Sequence, residues 1–289
     1  MQELSQEARG PLERLRTALQ ADAPGGTLAI AYSGGLDSRF LSHASRLLGF
    51  SPVLFHVTGP HIGGDEGEGL EWAREEGFEV RVIRLDPLSV PEVRAGSRFR
   101  CYGCKKAVFT ALLKASAGLP LCDGTNHTDQ LPGVWRPGER ALKELGIRSP
   151  LAEARFGKPE IRLVARATGM ARPDQLPEPC LLTRLPYGMT PTADVLGKLR
   201  LAETAVRRTL ARSGMDAMVY RIRLVAPGKP EIHFALSAWA KLSPAVRAEV
   251  RDAVLATDPA FFRGLELRGL EQLSGYFDRV SGTASDRAK

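Results

Sequence analysis

A chain of 289 residues is long enough for one large α/β domain and a smaller second one, at about 100 to 200 residues per domain. Its 43% hydrophobic and 25% charged residues exclude a wholly disordered or low-complexity chain. Forty Lys and Arg against 33 Asp and Glu leave a formal charge of +7, which suits ligands rich in phosphate or carboxylate.

The first 20 residues carry Glu3, Glu7, Arg9, Glu13, Arg14 and Arg16 instead of a signal-peptide core, and no apolar run nears the roughly 18 residues of a membrane helix. A cytoplasmic protein without a membrane partner is the expectation. The first helix is predicted over 4–19, with Leu12, Leu15 and Leu19 on one face, and Pro24-Gly25-Gly26 ends it. The run 27–32 (TLAIAY) is short, apolar and uninterrupted, as in a strand buried on both faces of a parallel sheet, and it leads into Ser33-Gly34-Gly35. A helix over 39–48, strands at 53–57 and 79–85 and a helix at 69–76 continue a βα alternation. A helix over 105–115 and a strand at 120–122 then lead to Asp123-Gly124-Thr125-Asn126. Ligands of such sheets sit beyond the carboxyl ends of the strands, so the loops at 33–38 and 123–126 are expected to face one crevice.

After the proline-rich stretch 173–186 the pattern changes to a long amphipathic helix (192–213), two alternating strands (217–225 and 231–236), a helix (243–256) and a short strand near 265–267. The expected fold class is therefore α/β: a doubly wound, mostly parallel sheet over 1–178, with a smaller α+β domain over 179–280 whose sheet is antiparallel. Residues 281–289 form a polar tail expected to be disordered.

The strongest motif is Ser33-Gly34-Gly35-Leu36-Asp37-Ser38, between a buried strand and a helix. It lacks the lysine and the spacing of a Walker loop. Two glycines let backbone amides approach an anion, Ser33 and Ser38 offer hydroxyls, and a helix N-terminus adds its dipole, so a phosphate suits this place. Four cysteines do not make a disulfide scaffold in a chain of this size, and Cys101 and Cys104 form a C-x-x-C pair suited to metal, cluster or redox chemistry. With a distant third cysteine the pair offers three thiolates, enough for a 4Fe-4S cluster with one open iron; zinc would want a fourth ligand such as Cys122 or His127, and two cysteines at a helix start with no metal are the plain alternative. Arg221 and Arg223 alternate along a strand and so share a face, and guanidinium forks suit phosphate and carboxylate. His56, His61 and His233 show no ligand spacing. Arg207, Arg208 and Arg212 read as a solvated helix face, with no basic run interleaved with aromatics.

The hexapeptide resembles the S-G-G-x-D-S signature of the PP-loop ATP pyrophosphatases. In that reading Ser33, Gly34, Gly35, Asp37 and Ser38 bind ATP, with Gly124, Thr125 and Asn126 beside them, and pyrophosphate is released, with Mg²⁺ neutralising phosphate charge. Further blocks narrow the resemblance: Arg100-Cys101-Tyr102-Gly103-Cys104-Lys105-Lys106, Asp123 to Asn126, Arg136-Pro137-Gly138, Arg148-Ser149-Pro150-Leu151, Lys158-Pro159-Glu160-Ile161-Arg162, Pro179-Cys180-Leu181-Leu182-Thr183-Arg184, Pro186-Tyr187-Gly188 and Arg221-Ile222-Arg223. In content and order, over residues 27–235, they resemble the LarE family of sulfur transferases, which act on a pyridinium dicarboxylate mononucleotide precursor of the nickel-pincer cofactor.

The resemblance implies that Cys180 delivers sulfur to an adenylylated carboxylate, with Arg184 nearby to favour a thiolate. It further implies that Arg184, Arg221 and Arg223 grip substrate, that Asp129 contacts Mg²⁺, with Glu153 and Glu160 as weaker acidic candidates, that Cys101, Cys104 and Cys180 could ligate a cluster, and that the protein is a homo-oligomer. The sequence departs from the family where Thr128 replaces the first of two acids after G-T-N-x, where Thr183 stands for a serine, and beyond Arg223, where one expected arginine is missing. The alternatives are a tRNA thiolase of the same superfamily, against which the lack of any recognisable RNA module counts, and an ATP-binding regulatory protein with reduced catalysis.

Overall fold

The computed structural model describes residues 6–64, 66–130 and 137–282. In chain order the first elements are α1 (Gln6–Asp22), β1 (Thr27–Ala31), α2 (Leu36–Leu47), β2 (Ser51–Thr58), α3 (Glu66–Glu75) and β3 (Glu79–Arg84). Next come α4 (Pro91–Arg94), α5 (Arg100–Ala115), β4 (Leu121–Cys122), α6 (Pro137–Glu144), α7 (Pro150–Glu153) and α8 (Lys158–Ala167). The remainder is α9 (Ala193–Arg212), β5 (Tyr220–Ala226), β6 (Lys229–Ala235), α10 (Leu236–Trp239), α11 (Pro244–Leu255), β7 (Glu266–Leu270) and α12 (Tyr276–Val280). The chain divides into two compact units, one of residues 1–59, 65–85 and 101–177, the other of 60–64, 86–100 and 178–289. The second unit thus takes in two early segments that a linear division assigns to the first.

The first unit is α/β, with a four-stranded, all-parallel sheet in the order β3-β2-β1-β4. Alternation along β1 explains why helices cover both of its faces. Leu28 and Ile30 enter one buried cluster with Leu12, Leu15 and Leu19 of α1, Phe40 and Leu41 of α2, and Ile161 and Val164 of α8. Ala29 joins a second cluster with Phe55, Phe109, Leu112 and Leu142, and Ala31 packs against it. Each fully buried large apolar side chain contributes roughly 1.5–3 kcal/mol, so a strand apolar on both faces is stable only inside two layers. This is the doubly wound arrangement of the PP-loop fold. Because Ala29 pairs with Leu121 and Ile30 with Cys122, the loops that follow β1 and β4 leave the sheet side by side.

Two boundaries differ from expectation in ways that matter for chemistry. Helix α2 begins at Leu36, so Asp37 and Ser38 belong to its first turn. Helix α5 begins at Arg100, so Cys101 and Cys104 lie within a helix and one turn apart. Helices α6, α7 and α8 fall where no periodicity was evident: α7 is a single turn, and α6 and α8 run only 8 and 10 residues.

In the second unit α9 buries Leu196, Leu199, Val206 and Leu210 and starts at Thr192, whose hydroxyl accepts from the Val195 amide at 3.2 Å. The sheet order is β5-β6-β7, with β5 and β6 antiparallel but β6 and β7 parallel. The expectation of an antiparallel sheet is corrected here: α10 and α11 lie between β6 and β7, and a crossover of that length returns the chain in the same direction. The early segments tie down residues 181–188. The Leu181 amide donates to the His61 carbonyl at 2.9 Å, Arg100 donates to the Leu185 carbonyl at 2.8 Å, and the Gly188 amide donates to the Gly96 carbonyl at 2.9 Å. Among the described residues no helix is long and apolar enough to cross a membrane. The tail expected to be disordered lies, from residue 283, outside the described residues.

Candidate functional site

The loop after β1 is shaped from within and braced from outside. Gly34 has φ +77°, a conformation that favours glycine, and a methyl group on neighbouring Gly69 would come within 2.9 Å of the Gly34 α-carbon. The two hydroxyls expected to face a ligand are engaged with the loop itself. Ser38 Oγ donates to the Gly35 carbonyl at 3.1 Å and accepts from the Ser33 amide at 3.2 Å, and Ser33 Oγ accepts from the Gly35 amide at 3.3 Å. Gln175 donates to the Gly34 carbonyl at 3.2 Å and accepts from Arg39 at 2.8 Å, while the Arg39 guanidinium lies over Trp72 at 4.5 Å. The Tyr32 hydroxyl closes the ring on the Gly69 carbonyl at 2.7 Å. No side chain caps α2 at Gly35, so the first-turn amides of α2 keep the unsatisfied donors on which an anion sits.

The second loop packs directly on the first. A methyl group on Gly124 would approach the Ser38 amide nitrogen to 2.9 Å and the Asp37 carbonyl carbon to 3.2 Å, so only glycine lets the two backbones meet. Asp123 braces its own loop, accepting from the Ser149 hydroxyl at 2.7 Å and the Thr125 hydroxyl at 2.5 Å. Asn126 and Asp129 close a reciprocal turn, with Asn126 Nδ2 donating to Asp129 Oδ2 at 2.7 Å and the Asp129 amide to the Asn126 carbonyl at 3.1 Å. Gly124→Ala should push the loops apart and weaken adenine-nucleotide binding by about tenfold or more, while far-ultraviolet circular dichroism stays unchanged. Equal affinity in a calorimetric titration would refute that account of the loop contact.

Lys158, which sequence reasoning left out of the site, forms an ion pair with Asp37. Its own amide donates to Thr128 Oγ1 at 3.3 Å. Thr128, where the resemblance leads one to expect an acid, therefore serves the start of α8. Asp37 Oδ1 is buried and makes no hydrogen bond. Burial raises the Asp37 pKa, Lys158 opposes the rise, Asp129 adds to it and Asn126 opposes it. Asp37 and Asp129 are two carboxylates near enough to act on one another, the donor type that Mg²⁺ commonly takes together with substrate phosphates. Glu153 hydrogen-bonds the Ser149 amide at 3.2 Å and Glu160 pairs with Arg14 at 2.8 Å, so these weaker acidic candidates act within the scaffold.

Of the cysteines, Cys122 is wholly buried in the core of the first unit, and burial together with Asp22, Asp123 and Glu153 pushes its thiol pKa up, which makes it inert. Cys101 is half-buried and Cys104 buried. Among the described residues no three His, Cys, Asp or Glu side chains come together as a metal site, so within its unit the pair supplies two thiols and no third ligand beside them.

In the second unit Cys180 is half-buried and directly precedes a 3₁₀ turn, Leu181–Arg184. Its carbonyl accepts from the Thr183 hydroxyl at 2.7 Å and the Thr183 amide at 3.0 Å. Arg184 has an internal partner. It is buried and forks onto Glu203 at 2.6 and 3.2 Å. Arg223 is also buried, donating to His233 Nδ1 at 2.7 Å and the Leu273 carbonyl at 2.5 Å. Since the guanidinium can only donate, His233 is neutral with its proton on Nε2, which donates to Glu231 at 2.6 Å. Arg221 is half-buried. Burial first, and then Arg184 and Arg221, push the Arg223 pKa down to about 9; burial and then Arg184 push that of Arg221 down to about 10. Arg184, Arg221 and Arg223 lie near enough to act on one another, with Glu203 as the carboxylate that Arg184 grips and Glu178 also acting on Arg221.

The sheet, the glycine loop at its carboxyl edge and the uncapped helix behind it define a doubly wound protein of the PP-loop type. No protein-family model matches the chain. It is 30% identical over 186 residues to the pyridinium-3,5-bisthiocarboxylic acid mononucleotide synthase of Lactiplantibacillus plantarum, a match spanning 62% of this chain and 67% of that protein. Uncharacterised proteins of Synechocystis (33% over 184 residues; 62% and 68% of the two chains) and of Methanocaldococcus jannaschii (31% over 209 residues; 68% and 75%) are similar as well. The chain belongs to the LarE-like family, to which the synthase from Lactiplantibacillus belongs.

Proposed function

We propose that the protein is an ATP-dependent sulfur transferase that converts a carboxylate of a pyridinium dicarboxylate mononucleotide into a thiocarboxylate in nickel-pincer cofactor biosynthesis. The observation that carries this reading is the uncapped start of α2 beside the Gly34 loop, a cradle for a nucleotide phosphate, in a chain related to a thiocarboxylate-forming synthase. ATP is a substrate here. Its α-phosphate accepts the substrate carboxylate oxygen, the α–β bond breaks, and pyrophosphate leaves. Mg²⁺, when bound, neutralises phosphate charge, and Asp37 and Asp129 would hold it.

Cys180 supplies the sulfur. Its thiolate attacks the carbonyl carbon of the acyl adenylate and AMP departs with the oxygen's electron pair, leaving a thioester. Removal of the Cys180 α-proton then breaks the Cβ–Sγ bond with its electron pair passing to sulfur. This gives a thiocarboxylate and a dehydroalanine at position 180. Arg221, the half-buried member of the guanidinium group, is the one best placed to meet a substrate carboxylate or phosphate.

The test incubates the protein with ATP, Mg²⁺ and the dicarboxylate mononucleotide, following pyrophosphate release and the intact protein mass. The expected result is acceptor-dependent pyrophosphate and a chain lighter by one H₂S after a single turnover. Release of pyrophosphate with no sulfur in the product would overturn the sulfur-transfer reading. No acceptor-dependent release at all would overturn the enzyme reading.

A further inference from the structure

Strands β5, β6 and β7 carry a charged face, and much of that face is buried. Alternation puts Ile222, Leu224, Ile232 and Phe234, all buried, on one side of the sheet. On the other side the register sets Arg221 opposite His233 and Arg223 opposite Glu231, with Arg268 of β7 beside His233 and Glu266 beside Glu231. Arg223 is 4% exposed, Glu231 8% and His233 0%. These groups are joined in one line. Arg223 donates to His233 Nδ1, His233 Nε2 donates to Glu231, and Arg268 pairs with Glu231 at 3.3 Å and with Glu266 at 2.6 Å. The Tyr276 ring of α12 lies over the line, 4.7 Å from the His233 ring and 4.9 Å from the Arg223 guanidinium. Apolar side chains of similar volume would fill this space at less cost in desolvation, so the line calls for a role beyond holding strands together.

Arg223 is held by both of its outer nitrogens, one on His233 and one on the Leu273 carbonyl. Its Nε is buried and makes no hydrogen bond. A buried charged donor left unmatched is unfavourable, and an anion is the partner that a guanidinium N–H binds most strongly. We infer that His233, oriented by Glu231, is a positioning residue for substrate binding: it holds Arg223 by an outer nitrogen and so keeps the Nε–H for the substrate anion that Arg221 meets. The inference rests on the reading of a dicarboxylate mononucleotide as substrate and of Arg221 as its contact. Glu231 takes the Nε2 proton of the imidazole, which leaves Nδ1 as the acceptor that Arg223 requires. A proton on Nδ1 would set donor against donor and cation against cation. The other titratable or charged groups on this face are Arg221, Arg268, Glu231, Glu266 and Tyr276. Burial pushes the His233 pKa below the ordinary imidazole value, Glu231 opposes the fall and Arg223 adds to it. The ring is therefore neutral at neutral pH, and its hold on Arg223 is lost as the pH falls through that lowered pKa.

Two variants separate the two ring nitrogens. His233→Asn places an oxygen near the position of Nδ1 and keeps an acceptor for Arg223, whereas His233→Gln places its amide near Nε2 and can serve Glu231 but not Arg223. In acceptor-dependent pyrophosphate release at saturating ATP, His233→Gln should raise KM for the dicarboxylate mononucleotide by about ten- to a hundredfold, the worth of a charge-assisted hydrogen bond, with kcat within about twofold. His233→Asn should stay within about threefold of the wild-type KM and lack the rise in KM that the wild type shows on acidification. Nitrogen-15 spectra of the full-length wild type should show a neutral ring protonated on Nε2 and give the pKa at which that rise sets in. Circular dichroism and the affinity for α,β-methylene-ATP verify that each variant is folded. An unchanged KM in His233→Gln, or a ring protonated on Nδ1, overturns the inference and leaves the substrate reading standing. Should His233→Gln fail to fold, the wild type decides, because a KM indifferent to the titration of His233 overturns the inference as well. If the wild type releases no acceptor-dependent pyrophosphate, the substrate reading itself is lost, and this inference with it.

Discussion

Cys180→Ala should still release pyrophosphate from ATP when the carboxylate acceptor is supplied, yet form thiocarboxylate at least about a thousandfold more slowly than the wild type. Removing a nucleophile that forms a covalent bond to substrate commonly costs that much or more. The variant is expected to fold, because the turn around Cys180 is held by its carbonyl, by the Thr183 amide and hydroxyl and by the His61 carbonyl on the Leu181 amide, none of which involves the sulfur. Chromatography with mass detection separates the two activities, since AMP and pyrophosphate report activation and the mass of the acceptor reports sulfur. An alanine variant that transfers sulfur at the wild-type rate would exclude Cys180 as donor. A serine variant sharpens the comparison: its hydroxyl could form an oxygen ester but could not release a thiocarboxylate.

The second large effect is on stability. Glu203→Ala should destabilise the protein by roughly 3–5 kcal/mol, because it strands the buried Arg184 guanidinium without its carboxylate. Glu203 Oε1 also accepts from the Ile222 amide at 3.2 Å, so the substitution leaves a β5 backbone donor without that acceptor. Domains commonly have only about 5–15 kcal/mol of stability to lose, so the urea midpoint should fall far below that of the wild type. Removing both charges with Arg184→Met and Glu203→Leu should recover most of the loss, since two apolar side chains of similar volume do not carry the unpaired charge. Arg184→Met alone should destabilise less than Glu203→Ala, since Arg221 and Arg223 remain near the Glu203 carboxylate. A single variant as stable as the wild type would mean that water reaches the pair and that Arg184 is available to ligands after all.

What could be read in the residues follows from how local each signal is. TLAIAY was recognisable as a doubly buried strand because its apolar character is continuous over a few neighbours, and the glycine loop stood out because Gly34 and Gly35 are backbone requirements written directly in the sequence. The parallel pairing of β7 was missed, although α11 lies between it and β6 and a helical crossover argues for parallel strands. The pairing of Arg184 with Glu203 was not legible, because the two sit 19 positions apart and no local pattern links them. Lys158 did carry a local signal, a cation at the first position of a helix, which opposes the dipole and so calls for a partner elsewhere. Its partner is 121 residues distant and became visible only in three dimensions.

The interleaving of the two units constrains how the protein can be dissected. The chain changes unit five times, after residues 59, 64, 85, 100 and 177. A fragment starting at residue 178 would contain Cys180 but would lack the His61 carbonyl, the Gly96 carbonyl and the Arg100 guanidinium, which hold the backbone just downstream of it. Neither unit can be cloned, exchanged or inherited as a self-sufficient module by a single cut, so the two are tied to one another by the path of the polypeptide itself.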